Sequence, residues 1–268
     1  MLSKYSGKTA VCFFLLALLP NVSLATADER PCAGRRPPCV DAEKDLLAWL
    51  GLREDANDTE VLQLLDIPEK QIIVSAVVSY RKTYSAVPKL LQIVNDPNTL
   101  LPVQIAAADS LCSLGNKEWM PTIKTLSLDP NGPIRGTYLA IKVAGMLARA
   151  GDYSQFETVA AAVSERTKHV RSSAIYELGN FGHETDPVTD SAAELLRSVA
   201  TSDPIPQLRE RAIYSLEKIT KKKPQIIPKL IDALETNKDS PDRFLGMTSR
   251  VNLKIYRPKL NEEESKQP

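Results

Sequence analysis

The chain has 268 residues, 43% of them hydrophobic, 25% charged and 6% aromatic, an ordinary soluble composition with length for one extended or two compact domains. Its 34 Lys and Arg nearly balance 33 Asp and Glu. Without a global field to hold a polyanion, nucleic acid is excluded as the main partner.

Residues 1–27 have the pattern of a secretory signal peptide: Lys4 and Lys8, an unbroken apolar run from Ala10 to Leu19, and small residues at Ala25-Thr26-Ala27. Cleavage is expected before Asp28. An uncleaved anchor would need about 20 apolar residues, and Pro20 stops this run. No later run is long enough to span a bilayer, so no stable membrane insertion is expected after cleavage. Removing the leader takes two lysines and no acid, so the mature charge is 32 minus 33, or −1. Cys32 follows Arg30-Pro31 and not a small apolar triplet, which argues against lipid attachment. The mature chain is expected in a bacterial periplasm or secreted.

Residues 28–41 form a Pro/Cys-rich arm in which Cys32 and Cys39 enclose AGRRPP. In an oxidising compartment the expectation is a small disulfide ring; reduced thiols or pairing between chains are the alternatives. A metal site would need further ligands, and none is expected. Cys112, within an apolar helix, is expected to be a buried inert thiol.

The helical region is expected over 42–257. Asp41 is a suitable N-cap, Leu46, Leu47 and Leu50 form a buried side, Gly51 ends the first helix and Trp49 is expected to cover the end of the core. A polar break from Arg53 to Asp58 precedes a short helix through Val61, Leu62 and Leu65. Repeats follow. Their template is clearest in HVRSSAIYELGNFG, His169 to Gly182, where Val170, Ala174, Leu178 and Phe181 make one apolar stripe and Gly182 is the expected stop. Copies start at Ile72, Val103, Ile134 and Leu208, giving steps of 31, 31, 36 and 38 residues to and from Val170. A shorter apolar helix precedes each later copy, around Leu90, Ile123, Val159 and Leu196, and another follows the last around Leu230.

Steps in the thirties mark helical hairpins stacked as a solenoid. One hairpin of about 30 residues buries too little apolar surface to offset roughly 1 to 2 kcal/mol per residue of chain entropy, so neighbours must cover it. Ala76, Ala107, Ala174 and Ala212 mark the close approaches. In the third copy Tyr138 and Lys142 stand where alanine and leucine are expected, so its apolar face must turn onto Ile141, Ala144 and Ala148, with Gly145 at the contact. Asp-Pro pairs at 96–97, 129–130, 186–187 and 203–204 punctuate the boundaries. The fold class is therefore all-α: an α-solenoid of about five hairpins, with a charged, disordered tail over 258–268.

The Asp-Pro turn, an aliphatic residue followed by Arg (Ile134-Arg135, Val170-Arg171, Leu208-Arg209), alanine four residues on and leucine eight on resembles the HEAT repeat and its bilin-lyase-type relatives. The resemblance covers 58–236 and, as a worn copy, extends to Arg257. It implies binding surfaces and scaffolds more than chemistry. In such repeats the arginine pairs with acids of the turns, which makes a structural role for Arg135, Arg171 and Arg209 the preferred reading over a grip on an acidic partner; Gln104 interrupts the series.

The chain has no GxSxG, GxxxxGK[ST], GxGxxG or HExxH motif. His169 suits a helix start. His183-Glu184 resembles one metal-binding pair of the HEAT-type di-iron hydroxylases, a class that needs several, so no metal, cofactor or catalytic residue is assigned. The leading expectation is an exported, non-enzymatic module that docks a protein or peptide on a concave face of template helices, with Arg171, Glu177, Asn180, Arg211 and Lys218 as contacts. The alternatives are an accessory, lyase-like enzyme or chaperone using Cys32, Cys39 or His183, and a passive spacer. Glu177 is expected to be solvated, so that Glu177→Ala changes stability by less than about 0.5 kcal/mol.

Overall fold

The structure is a computed structural model that describes residues 42–128, 138–183, 186 and 188–264. The leader, the arm with Cys32 and Cys39, the Asp41 cap, Asp129-Pro130, Ile134-Arg135, Glu184 and Pro187 lie outside the described residues.

The described residues are all-α, and the chain divides into two compact units, one up to Gly132 and one from Pro133. The first holds α1 (Ala42–Leu50), α2 (Asp58–Gln63), α3 (Gln71–Arg81), α4 (Val87–Asn95), α5 (Leu101–Ser113) and α6 (Met120–Leu128). Helices α1, α3 and α5 lie side by side, and α4 and α6 pack behind them. The second unit holds α7 (Tyr138–Arg149), α8 (Phe156–Ala162), α9 (Lys168–Leu178), α10 (Val188–Ser202), α11 (Pro206–Lys222), α12 (Ile227–Asn237) and α13 (Arg243–Glu264). Here α7, α9, α11 and α13 form one layer and α8, α10 and α12 the other. This is the expected α-solenoid architecture, with the alanines at the close approaches: Ala107, Ala174 and Ala212 are fully buried.

Local chemistry sets the helix boundaries. Asn57 and Glu60 form a reciprocal capping box at α2, each side chain bonded to the other's backbone amide. Gly51 and Gly115 take positive φ and close α1 and α5 with the paired bonds of a Schellman turn, such as Leu52 N–H to the Leu47 carbonyl and Gly51 N–H to that of Ala48. Lys82 does the same duty at α3 with φ 57°. Proline occupies the first turn of α4, α5, α11 and α12, where its missing amide has no partner to lose.

Four expectations are corrected. Trp49 is 65% exposed and does not cover the core, because Leu46, Leu47 and Leu50 already face it on the other side of α1. Helix α9 ends at Leu178 and not at Gly182: from Gly179 the chain tightens into successive i to i−3 bonds, with Asn180 N–H donating to the Glu177 carbonyl and Phe181 N–H to that of Leu178. That turn drives Phe181 into the core against Phe156 and Tyr153, with ring centroids 5.6 and 6.0 Å away. At the other end, α13 continues through Pro258 to Glu264, so helix replaces the expected disordered tail over 258–264. Cys112 is a half-buried thiol and not a fully buried one. The third copy behaves as its sequence requires, burying Ile141, Ala144 and Ala148 while Tyr138 and Lys142 stay half-buried.

Candidate partner-binding face

The layer of α7, α9 and α11 carries a connected row of polar and aromatic side chains. Its anchor is Glu177, on the last turn of α9 and only 3% exposed. A carboxylate so placed needs partners on both oxygens. Lys142 Nζ of α7 donates to Oε1 at 2.7 Å, and Asn180 Nδ2 donates to Oε2 at 2.6 Å. Asn180 is itself buried, and its Oδ1 accepts from Lys218 Nζ of α11 at 2.8 Å. One acid and one amide thus tie three helices together.

Room for that acid comes from Gly145. A Cβ built there would lie 2.0 Å from Glu177 Oε2 and 2.9 Å from its Cβ, so the glycine is the recess that admits the carboxylate. Over the anchor lies Tyr176. The Lys142 and Lys218 ammonium groups stand 5.4 and 4.7 Å from its ring centroid, distances at which a cation is attracted to a ring face. Tyr176 is stacked on Tyr214 of α11, with centroids 6.4 Å apart and planes at 10°. Lys142 also lies 5.9 Å from the Tyr138 ring. The outward result is a half-buried row of Tyr138, Lys142, Tyr176, Lys218 and Tyr214, held from below by Glu177 and Asn180.

Of the five residues expected to contact a partner, Glu177, Asn180 and Lys218 are brought together. The first two are corrected in role: they are buried supports and not contact groups, because each spends its polar atoms inside the layer. Arg211 joins the same two helices, its Nη1 reaching the Ser172 carbonyl at 3.4 Å. Arg171 is set apart, bonded to the buried Asp203 of the turn before α11, which is the structural role preferred for the repeat arginines. Arg209 departs from that pattern, donating to the neutral Asn237 Oδ1 at the end of α12, 3.0 Å away, and not to an acid of a turn. The tyrosines, Lys142 and the function of Gly145 were missed by sequence reasoning. A signal was available: tyrosine followed four residues later by a polar amine or amide recurs at 138/142, 176/180 and 214/218, spacings that share one helix face.

A second acid lies further along the layer. Glu217 of α11 accepts a hydrogen bond from Asn252 Nδ2 of α13. Burial pushes its carboxyl up to about 7, against the opposing pull of Lys221 and of the Asn252 bond. Tyr256, packed beside it, is raised by burial first and by the Glu217 charge second. His183 touches the Tyr153 ring at 6.0 Å, and its amide donates to Thr189 Oγ1. Among the described residues no group of three or more His, Cys, Asp or Glu is placed to hold a metal ion.

Residues 158–245, from within α8 to the first turns of α13, match the family of HEAT repeats. This stretch is a run of HEAT repeats. No curated protein is matched by the sequence. Among solved structures, human deoxyhypusine hydroxylase in complex with glycerol is similar at 16% identity, covering 94% of this chain and 98% of that one, with a TM-score of 0.33. That structure corrects the expectation that the chain is not an enzyme: it belongs to a hydroxylase, so helical-repeat architecture leaves enzymatic status open. At that TM-score the likeness transfers no activity to this chain either.

Proposed function

We propose that this HEAT-repeat chain is an exported scaffold that binds a protein or peptide partner through the row on α7, α9 and α11. The observation that supports it is the arrangement of Tyr138, Tyr176 and Tyr214 with Lys142 and Lys218 on a buried Glu177–Asn180 support. Tyrosine supplies large contact area and is prominent among the few residues that carry most binding energy. Here Lys142 and Lys218 are held by cross-helix hydrogen bonds and Tyr176 by their ammonium groups and the Tyr214 ring, so little ordering cost is left for association. Arg211 extends the same face toward the start of α11. Export is the companion proposal, supported by the leader pattern of residues 1–27 and by the paired cysteines beyond it.

The test is site-specific photo-crosslinking in cells of the source organism. A crosslinker at Tyr214 should give a discrete adduct, and one at Ser198 on the other layer should not. Tyr176→Ala should abolish the adduct without altering the melting temperature by more than a few degrees. Adducts of equal yield from both positions would remove the proposal.

A further inference from the structure

Charge is unevenly shared between the two layers of the unit that carries the tyrosine row. Helices α7, α9 and α11 hold nine Lys and Arg against three Glu, and α13 beside them five against three, whereas α8, α10 and α12 hold two against five Asp and Glu. A chain that is almost neutral as a whole thus has one basic layer and one acidic layer, and the local field, not the net charge, decides what each face attracts. The acidic layer spends its cations on its own acids: Arg197 bonds Glu194 and Asp232, and Lys229 bonds Glu194 across the seam of α10 and α12. The basic layer has too few acids to do the same.

The excess collects on the row. Of the three acids on its helices, Glu177 is bonded to Lys142 and Asn180 beneath the surface, Glu217 to Asn252, and Glu210 is half-buried. Arg171 and Arg209 are turned into the repeats, on Asp203 and Asn237. On α11, Arg211, Lys218 and Lys222 recur at seven and then four residues with Tyr214 between the first two, one helix face about 16 Å long at 1.5 Å per residue. Arg211 donates to the Ser172 carbonyl and Lys218 to Asn180 Oδ1, both neutral acceptors, so these bonds position the cations without cancelling their charge. Lys222 is exposed. The faces of the Tyr176 ring are occupied by Tyr214 and the two ammonium groups, which leaves a nucleic-acid base no face of it to stack on. Ammonium, guanidinium and phenol groups all donate hydrogen bonds, and a carboxylate is the side chain that accepts them with charge assistance.

We propose that the docking surface read in the row takes an Asp/Glu-rich segment of a protein partner, its carboxylates seated on Arg211, Lys218 and Lys222, an inference that rests on that reading and adds the chemistry of what docks. Complementary charge of this kind speeds encounter and rejects partners of the wrong sign.

The probe is a labelled peptide of roughly 12 residues alternating glutamate and glycine, long enough at about 3.3 Å per residue to cross three helices set about 10 Å apart. Peptides with glutamine or lysine in place of glutamate, and a thymidine oligonucleotide of the same length, are titrated beside it against the purified chain by fluorescence anisotropy. At low salt the glutamate peptide should bind at least tenfold more tightly than the other three, and its affinity should fall as salt rises. The double variant Arg211→Gln, Lys222→Gln should weaken it at least tenfold. Ser191→Glu with Ser198→Glu makes the same change in net charge on exposed positions of the acidic layer and should leave binding within twofold. Should the first variant fail to fold, Lys222→Gln alone, at an exposed position, should still weaken binding at least threefold. Glutamate and glutamine peptides that bind alike, an oligonucleotide that binds as tightly as the glutamate peptide, or equal losses in the two double variants would each overturn the proposal. If the crosslinker at Tyr214 nevertheless gives its adduct in cells, the row docks a partner of other chemistry; if it gives none and no peptide binds, the reading of the row falls with it.

Discussion

Removing the Glu177 side chain should be costly, contrary to what a polar helix flank suggests. Glu177→Ala leaves the half-buried Lys142 ammonium and the buried Asn180 amide without their acceptor, at about 2 to 4 kcal/mol. Gly145→Ala should cost about 1 to 3 kcal/mol, since the new Cβ would overlap a carboxylate with little room to retreat. The double variant should lose less than the sum, because the alanine at 145 fills space that Glu177 has vacated; urea unfolding of the four proteins measures that coupling, and strict additivity would disprove the recess. Glu217 gives a pH test. Its folded carboxyl titrates near 7 and its unfolded one near 4.5, so the native state binds more protons across that window. Stability from this group is complete below about 4.5 and falls as pH rises through 7. Glu217→Gln keeps an acceptor for Asn252 without the charge facing Tyr256 and Lys221. It should flatten the decline between pH 5 and 8 and raise stability at pH 8 by about 1 to 2 kcal/mol, a figure reduced for the partial solvent access of the site. Unfolding midpoints at pH 5, 6, 7 and 8 decide it.

Single helices are where alanine spacing has force. Ala174 of α9 is fully buried between neighbouring helices, so Ala174→Asp should cost several kcal/mol by burying an unpaired charge. Thermal melts that show a loss comparable to a surface substitution would mean that α9 is turned the wrong way in the layer. The apolar stripe of α9, the displaced face of α7 and the prolines at helix starts were all legible, because each follows from periodicity or from one residue's backbone chemistry. Less was legible at the ends. Gly182 looked like the terminator because Phe181 continued the apolar spacing, but Gly179 comes first and the i to i−3 turn after it carries Phe181 inward by another route. A disordered tail was expected from 258, yet α13 passes through Pro258, since one lost amide bond is tolerated when Leu253 and Tyr256 are already packed on the array. Glu177 was misread for a related reason: a charged side chain next to Tyr176 and three residues before Asn180 looks like a polar flank, and the acid's burial depends on Gly145 and Lys142 more than thirty residues away.

At the scale of the whole molecule, the tyrosine row lies in the unit from Pro133 onward, and where the chain would meet a partner turns on the fate of its first 41 residues. Cleavage before Asp28 removes Cys12 and leaves Cys32, Cys39 and Cys112. A Cys32–Cys39 ring would then leave one thiol to titrate in the denatured, unreduced protein, and Cys112, half-buried on α5, should react only slowly before denaturation. Intact mass of chain isolated from its own cells should correspond to residues 28–268 less two hydrogens. Three titratable thiols at the same length would keep export and discard the ring. A species that retains Met1 with all four cysteines reduced would place the tyrosine row in a reducing compartment, where the partner has to be sought among different proteins.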